Sequence, residues 1–291
     1  MTGPTGVGKT ALTLEIAQHY GIEIINADSR QIYKELPIGT AAPTKEQLNH
    51  VKHHFVACKN VIDYYSASLY EQEVISLLNL NPTSSYILSG GSMMYIDAVC
   101  NGIDDIPTID DRIRQSLMQK LETEGLEKLC ELLRKLDPAH WEIVDKKNSR
   151  RVLHALEVCI QTGRTYTSFR TNKKQERPFN IIKIGLNRPR EELYERINKR
   201  TEDMITSGIL DEALNMYEYR NLNALNTVGY KELFEYLDGL TTLEEAIYKI
   251  QSNTRKYARK QLTWYKKDQN IYWFHPNETK EILNHIDSYL F

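Results

Sequence analysis

Gly3-Pro4-Thr5-Gly6-Val7-Gly8-Lys9-Thr10 decides the fold. It fills every fixed position of the phosphate-binding loop G-x-x-x-x-G-K-[ST]. Glycines here let successive backbone N–H groups turn towards phosphate oxygens, and the helix that follows aims its positive end at the same point. Lys9 adds a full charge, and the Thr10 hydroxyl suits Mg²⁺. A Gly-rich turn before a helix is the plain alternative, and it leaves the complete match unexplained. The fold expected around such a loop is α/β. A P-loop normally follows a strand, yet only Met1 and Thr2 precede Gly3. An N-terminus lacking its first strand, with a gap in the sheet, is therefore expected. The loop does not say which phosphate it holds, because an ATPase, a small-molecule kinase and a pyrophosphate-releasing transferase share it.

Outward from the loop, apolar runs alternate with helical patterns. Thr10 to Tyr20 has helical spacing, Ile22 to Ala27 is a buried strand, Tyr70 to Leu80 a helix, and Tyr86 to Leu88 the next strand. Helices are expected over Asp111 to Glu122, Leu126 to Lys135 and Arg151 to Gln161, and a strand over Phe179 to Leu186. From Arg190 onward the pattern is almost wholly helical, with breaks near Gly208, Gly229 and Gly239. The architecture is a mostly parallel sheet with a large helical part.

The chain's 291 residues suffice for one large domain or two smaller ones. No apolar run approaches the roughly 18 residues that span a bilayer, and no secretory signal is visible, so a cytoplasmic protein without a membrane partner is expected. Cys58, Cys100, Cys130 and Cys159 are too scattered for a metal clip and are expected as free thiols. His53 and His54 lack a spaced third ligand, so no metal is expected there.

Net charge is −2, so a nucleic-acid partner would need a local patch. Lys249, Arg255, Lys256, Arg259, Lys260, Lys266 and Lys267 form one, with no acid among them and with Tyr257, Trp264 and Tyr265 interleaved. A solvated helix face is the bland alternative; missing acids and interleaved aromatics favour RNA. Asp28-Ser29-Arg30-Gln31 begins where the second apolar run ends. Ligands of open α/β sheets bind at the carboxyl ends of strands, so Asp28 is expected near the loop's phosphates, as a Mg²⁺ ligand or proton acceptor. Capping of the following segment competes with that role.

Taken in order, these segments resemble the tRNA dimethylallyltransferase (tRNA isopentenyltransferase) family from Gly3 to about Asp268. The likeness is carried by GPTGVGKT, DSRQIY, IGTAAP from Ile38, YSA from Tyr65 and GGSMMY from Gly90. It continues through SRRVLHALEV from Ser149, GLNRPREELYERINKR from Gly185, TVGYKE from Thr227 and TRKYARKQLTWY from Thr254. Departures are Ala41-Ala42-Pro43 where the family usually has AKP, Lys52-His53-His54-Phe55-Val56 for PHHLID, Ser92-Met93-Met94-Tyr95 in place of TGLY, and Asn226 for an arginine of some members.

The resemblance implies a P-loop NTPase-like parallel-sheet core with a helical insertion and a helical C-terminal part. Residues 1–111 and about 145–195 with the C-terminal helices would form the core, and about 112–144 and 196–245 would help bind tRNA. It implies transfer of a dimethylallyl group from dimethylallyl pyrophosphate to the exocyclic amine of the adenine 3′ of the anticodon. The partner would be the tRNA anticodon stem-loop, the cofactor Mg²⁺ on Thr10, with Asp28 as a second ligand, and the chain is expected as a monomer. Gly3, Pro4, Thr5, Gly6, Val7, Gly8, Lys9 and Thr10 would hold the pyrophosphate, with Lys9, Thr10 and Asp28 catalytic. Asp28, Ser29, Arg30 and Gln31 would meet the target adenine. The other implied tRNA contacts are Ser92, Arg114, Arg150, Arg151, Val152, Leu153, His154, Asn226, Thr227, Val228, Gly229, Tyr230 and Lys231. They continue along Arg259, Lys260, Gln261, Leu262, Thr263, Trp264, Tyr265 and Lys266. The arginines from Tyr194 to Arg200 are expected to serve helix packing and surface charge. A small-molecule kinase, a prenyltransferase acting on free AMP and a non-enzymatic RNA-binding module remain alternatives.

Overall fold

A computed structural model describes residues 1–104, 106–107, 109–171 and 175–290. The first third alternates α1 (Lys9–Tyr20), β1 (Glu23–Asn26), α2 (Lys45–His50), β2 (His53–His54), α3 (Ala67–Leu80), β3 (Tyr86–Ser89) and α4 (Met93–Asn101). A helical stretch follows: α5 (Asp111–Leu136), α6 (Pro138–Ile143), α7 (Ser149–Thr162) and α8 (Tyr166–Phe169). The rest is β4 (Ile184–Leu186), α9 (Arg190–Thr206), α10 (Ile209–Asn215), α11 (Tyr230–Leu237), α12 (Leu243–Tyr265), β5 (Tyr272–Phe274) and α13 (Thr279–Leu290).

All strand pairs are parallel. β1 lies between β2 and β3, with Ile24 opposite His53 and Asn26 opposite Ser89, and β4 pairs with β5 through Gly185 and Trp273. Met1 and Thr2 join the two groups. The Met1 nitrogen donates to the Leu88 carbonyl at 2.6 Å. Thr2 N donates to Ile184 O at 2.8 Å, and Leu186 N donates to Thr2 O at 2.9 Å. The sheet position expected to be vacant is thus taken by these two residues, and the order runs β2, β1, β3, residues 1–2, β4, β5. Two further expectations need correction. Only Ile184–Leu186 of the run from Phe179 forms a strand, and the C-terminal stretch contains β5. A three-residue strand is too short to carry an alternation pattern.

Two compact units result, one of Met1–Cys100 with Arg177–Phe291 and one of Asn101–Glu176. In the first, one apolar cluster includes Ile25, Tyr70, Tyr95, Tyr230 and Leu233, and a second packs Val7, Leu12, Leu186, Leu193 and Ile197 beneath the loop. Arg177 is anchored by the buried Glu71 carboxylate and donates to the Ala98 carbonyl at 2.6 Å. In the second unit, Leu117, Leu129 and Leu133 of α5 meet Val152, Ala155 and Leu156 of α7. Gly125, at φ 82° and ψ 169°, breaks α5 where two helices were expected. The boundaries differ from the expected division: α7 belongs with the insertion because its apolar face is buried on α5, and α9 belongs to the core because Leu193 and Ile197 pack under the P-loop.

One contact sets the distance between β1 and the turn after β3. A Cβ on Gly90 would lie 2.1 Å from the Ala27 carbonyl oxygen. Gly90→Ala must therefore push backbone from backbone, and it is expected to cost about 3 kcal/mol, the upper range of overpacking. A thermal midpoint lowered by several degrees is the expected reading; an unchanged midpoint would mean that the two segments can separate freely.

Candidate active site

A peptide group can offer an anion only its N–H end, so a phosphate loop must dispose of its carbonyls elsewhere. Here cationic side chains take them. Lys9 Nζ donates to the carbonyls of Gly3 and Pro4, each at 2.9 Å. Arg196 Nε donates to Gly6 O at 2.9 Å and Arg188 Nε to Val7 O at 2.7 Å. Gly6 and Gly8 adopt φ 81° and 107°, which favours glycine. The N–H groups of Gly8, Lys9, Thr10 and Ala11 start α1 and have no acceptor within it. Two amides depart from the expected inward array: Thr5 N donates to Gln261 Oε1 at 2.8 Å and Val7 N to the Pro4 carbonyl at 3.3 Å.

Asp28 leaves β1 at its carboxyl end, as the strand-end rule requires. Its Oδ1 accepts from Arg30 N at 2.9 Å and Gln31 N at 3.3 Å, so the capping role is real. The same side chain also lines a cavity of about 640 Å³ with Lys9, Thr10, Arg196, Arg200 and Tyr257. Capping therefore aims the carboxylate rather than replacing its part in the site. Ser29 N donates to Ser92 Oγ at 2.8 Å, tying this segment to the turn after β3. Gln31 Nε2 donates to the carbonyls of Thr40 and Ala41, each at 3.0 Å. Ala41 has φ 46°, a strained value for a residue with a Cβ, and Gln31 helps hold it there at the cavity wall.

The opposite wall comes from α9. Arg200 donates to Thr5 Oγ1 at 3.2 Å and reaches the Thr40 carbonyl at 3.5 Å. Burial lowers its pKa, and the Asp28 carboxylate partly offsets that. Burial also drops Lys9 to about 7; Asp28 opposes the shift and Arg200 adds to it. Tyr257 is pushed up to about 12 by burial, with Asp28 contributing, so it stays a neutral phenol. The arginines from Tyr194 to Arg200 are thus more than surface charge: Arg196 and Arg200 face the loop. Their separation of four residues puts both on one helix face, a signal present in the sequence but shared by many solvated helices.

The expected RNA contacts divide. Arg150, Arg151, Lys231 and Lys266 are exposed. Arg114 is paired with Glu157 at 3.2 Å, and His154 lies 3.5 Å from the same carboxylate. Asn226, Thr227 and Val228 are half-buried before the turn at Gly229. Val152, Leu153, Tyr230, Gln261 and Tyr265 are buried. Tyr230 donates to Glu212, whose carboxylate accepts the N–H groups of Ile38 and Gly39, each at 2.8 Å. The TVGYKE segment therefore braces the IGTAAP loop. On α12 and just past its end, Lys256, Arg259, Lys260 and Lys267 surround Met93, Thr263 and Trp264 in a second hollow of about 540 Å³. Trp264 Nε1 donates to Asp97 Oδ2 at 2.8 Å, which holds the ring beside the lysines. The four cysteines are free thiols, and no helix among the described residues is long and apolar enough to cross a membrane.

Fold and site together define an α/β P-loop protein in which an anion cradle faces a single strand-end carboxylate. The IPP transferase family model matches residues 31–268, and the chain belongs to that family. It is 57% identical to tRNA dimethylallyltransferase 1 of Phocaeicola vulgatus, over 99% of this chain and 97% of the relative. It is 56% identical to the Bacteroides fragilis protein of the same name, over 99% and 96%. Among solved structures, the full-length tRNA isopentenylpyrophosphate transferase of Bacillus halodurans superposes with a TM-score of 0.71 at 33% identity, covering 99% of this chain and 94% of that one. A eukaryotic dimethylallyltransferase acting on tRNA superposes with a TM-score of 0.78 at 25% identity, over 94% and 72%.

The Lys9 shift gives a signed prediction. In the free protein Lys9 is charged below about pH 7 and neutral above it. A bound pyrophosphate favours the charged form, so binding at pH 8 should take up a proton that binding at pH 6 does not. Calorimetry in two buffers of different ionisation enthalpy reads this uptake, with Lys9→Met as the subtraction. Equal uptake in both proteins would show that Lys9 is already charged at pH 8.

Proposed function

We propose that the protein transfers a dimethylallyl group from dimethylallyl pyrophosphate to the exocyclic amine of the adenine 3′ of the anticodon in tRNA, releasing pyrophosphate in the cytoplasm. The observation that carries this is the Asp28 carboxylate facing an anion cradle in one cavity, in a chain so close to enzymes named for that transfer.

An adenine amine is a weak nucleophile because its lone pair is delocalised into the ring. It needs a reactive carbon and a proton acceptor. As the allylic carbon–oxygen bond breaks, positive charge spreads over the double bond and negative charge grows on pyrophosphate. The amides at the start of α1, with Lys9, Arg196 and Arg200, meet that negative charge with preorganised donors. The new carbon–nitrogen bond forms as Asp28 accepts the amine proton. An adenine in a loop costs less to unstack than a paired one, which suits a recessed site. The donor set fits Mg²⁺: the Thr10 hydroxyl and the Asp28 carboxylate are hard oxygens on one cavity, and Mg²⁺ takes few protein oxygens beside phosphate and water. Bound there, it would neutralise pyrophosphate charge.

The hollow on α12 suits single-stranded RNA, since lysines can follow phosphates while Trp264 offers a stacking face. Arg259 lines the hollow too and donates to Tyr194 at 2.7 Å, whereas Arg255 is directed elsewhere, to Asn198 at 2.6 Å.

The test is incubation with dimethylallyl pyrophosphate, Mg²⁺ and unmodified tRNA carrying that adenine, followed by nucleoside mass analysis. Prenylated adenosine is expected; product from free AMP, or ATP consumption without it, would refute the proposal. Asp28→Asn should lower kcat by about 100-fold or more, in the range of general-base loss, with the dissociation constant for tRNA within about twofold. Neutralising Lys256, Lys260 and Lys267 together should flatten the slope of log affinity against log salt by about 2, at ~0.7 per contact for single strands. A full slope would return that face to solvent.

A further inference from the structure

Gln261 is 0% exposed, yet it sits among basic residues near the C-terminal end of α12. Its amide is used at both ends. Oε1 accepts from Thr5 N at 2.8 Å, and Nε2 donates to the Gly91 carbonyl at 2.8 Å. The Gly91 carbonyl also accepts from Tyr257 at 3.2 Å, one turn earlier on the same helix. Gly91 lies under the acid: a Cβ there would be 3.0 Å from Gln261 Nε2 and 3.3 Å from Asp28 Oδ2. One side chain thus bridges the shoulder of the phosphate loop and the turn against which the carboxylate rests.

We propose that Gln261 is a positioning residue that sets the distance between the pyrophosphate cradle and Asp28. This rests on the transfer reaction proposed above. Only a group that accepts on one side and donates on the other can satisfy both backbone partners. A buried amide left without its partner would swing the Thr5 peptide towards the cavity to find one, because an unmet buried donor is costly. The Thr5 peptide would then tilt the loop, and displacement of about 1 Å at a reacting centre can cost roughly 100-fold in rate. Arg200 feels the same movement, since it holds the Thr5 hydroxyl.

Two variants separate this from plain packing. Gln261→Met keeps the volume and removes both hydrogen bonds. Gln261→Glu restores the amide's pattern only when protonated, because the neutral carboxyl accepts from Thr5 and donates to Gly91, whereas the carboxylate faces the Gly91 carbonyl with like charge. Burial raises a carboxyl's pKa, so this protonation falls within a workable pH range. The full-length protein is assayed with dimethylallyl pyrophosphate and tRNA, and inorganic pyrophosphate affinity is measured separately by calorimetry. At pH 8 both variants should lose about 100-fold in kcat and at least fivefold in pyrophosphate affinity, with the dissociation constant for tRNA within twofold. At pH 6, Gln261→Glu should recover at least tenfold relative to wild type at the same pH, and Gln261→Met should not recover. Unchanged kcat and pyrophosphate affinity, or a Glu variant whose ratio to wild type is flat with pH, would overturn the proposal. An inactive wild type would instead overturn the transfer reaction, and the pyrophosphate arm would still decide the role of Gln261.

Discussion

The loop carbonyls of Gly3, Pro4, Gly6 and Val7 must be held away from the cavity before any anion can be bound. Lys9, Arg196 and Arg188 do this, and much of the fold follows from having to deliver them. Arg188 stands just after β4, so β4 must sit beside residues 1–2. Arg196 projects from α9, so α9 must dock by Leu193 and Ile197 on the apolar underside of the loop. The sheet supplies direction and the second apolar cluster supplies distance. The insertion of residues 101–176 has a core of its own in α5 and α7 and leaves that arrangement to the other unit.

The cavity wall carries both signs of charge. Lys9, Arg196, Lys199 and Arg200 line it with the carboxylates of Asp28, Glu195 and Asp203, and Asp203 is paired with Lys199 at 3.1 Å. Burial alone would discharge Lys9 near neutral pH, and the Asp28 carboxylate resists that. A multivalent anion resolves the tension, because it repays the desolvation of several cations at once. Such a site grips its ligand most tightly when the ligand carries most negative charge.

The sequence made the chemistry more legible than the architecture. The loop, α1, β1, α3 and β3 could be read because each carries a strong local signature, and Asp28 was placed by the rule of strand ends. The six-membered sheet order could not be read. β2 has two residues and β5 three, and Met1 and Thr2 join the sheet only through long-range pairing. The burial of particular side chains is hidden for a related reason. Tyr230, Tyr265 and Gln261 sit in polar, charged segments whose composition says surface, and only tertiary packing turns those residues inward. Arg196 and Arg200 show the converse: two arginines one turn apart look like solvent charge until the partner surface is known.

The pairing of Thr2 with β4 has a consequence for how the protein is made. Thr2 is synthesised long before its partners Ile184 and Leu186, and the bridging Gln261 comes later still. Domains generally form as units during synthesis, N-terminal first; here the N-terminal loop has to wait. At roughly 5 to 20 residues per second, about ten seconds or more of translation pass before residue 184 exists. The helical insertion, whose own apolar core is built from α5, α6 and α7, is synthesised in that interval. A nascent chain therefore carries a folded middle and an unfinished beginning, and the phosphate cradle is assembled last.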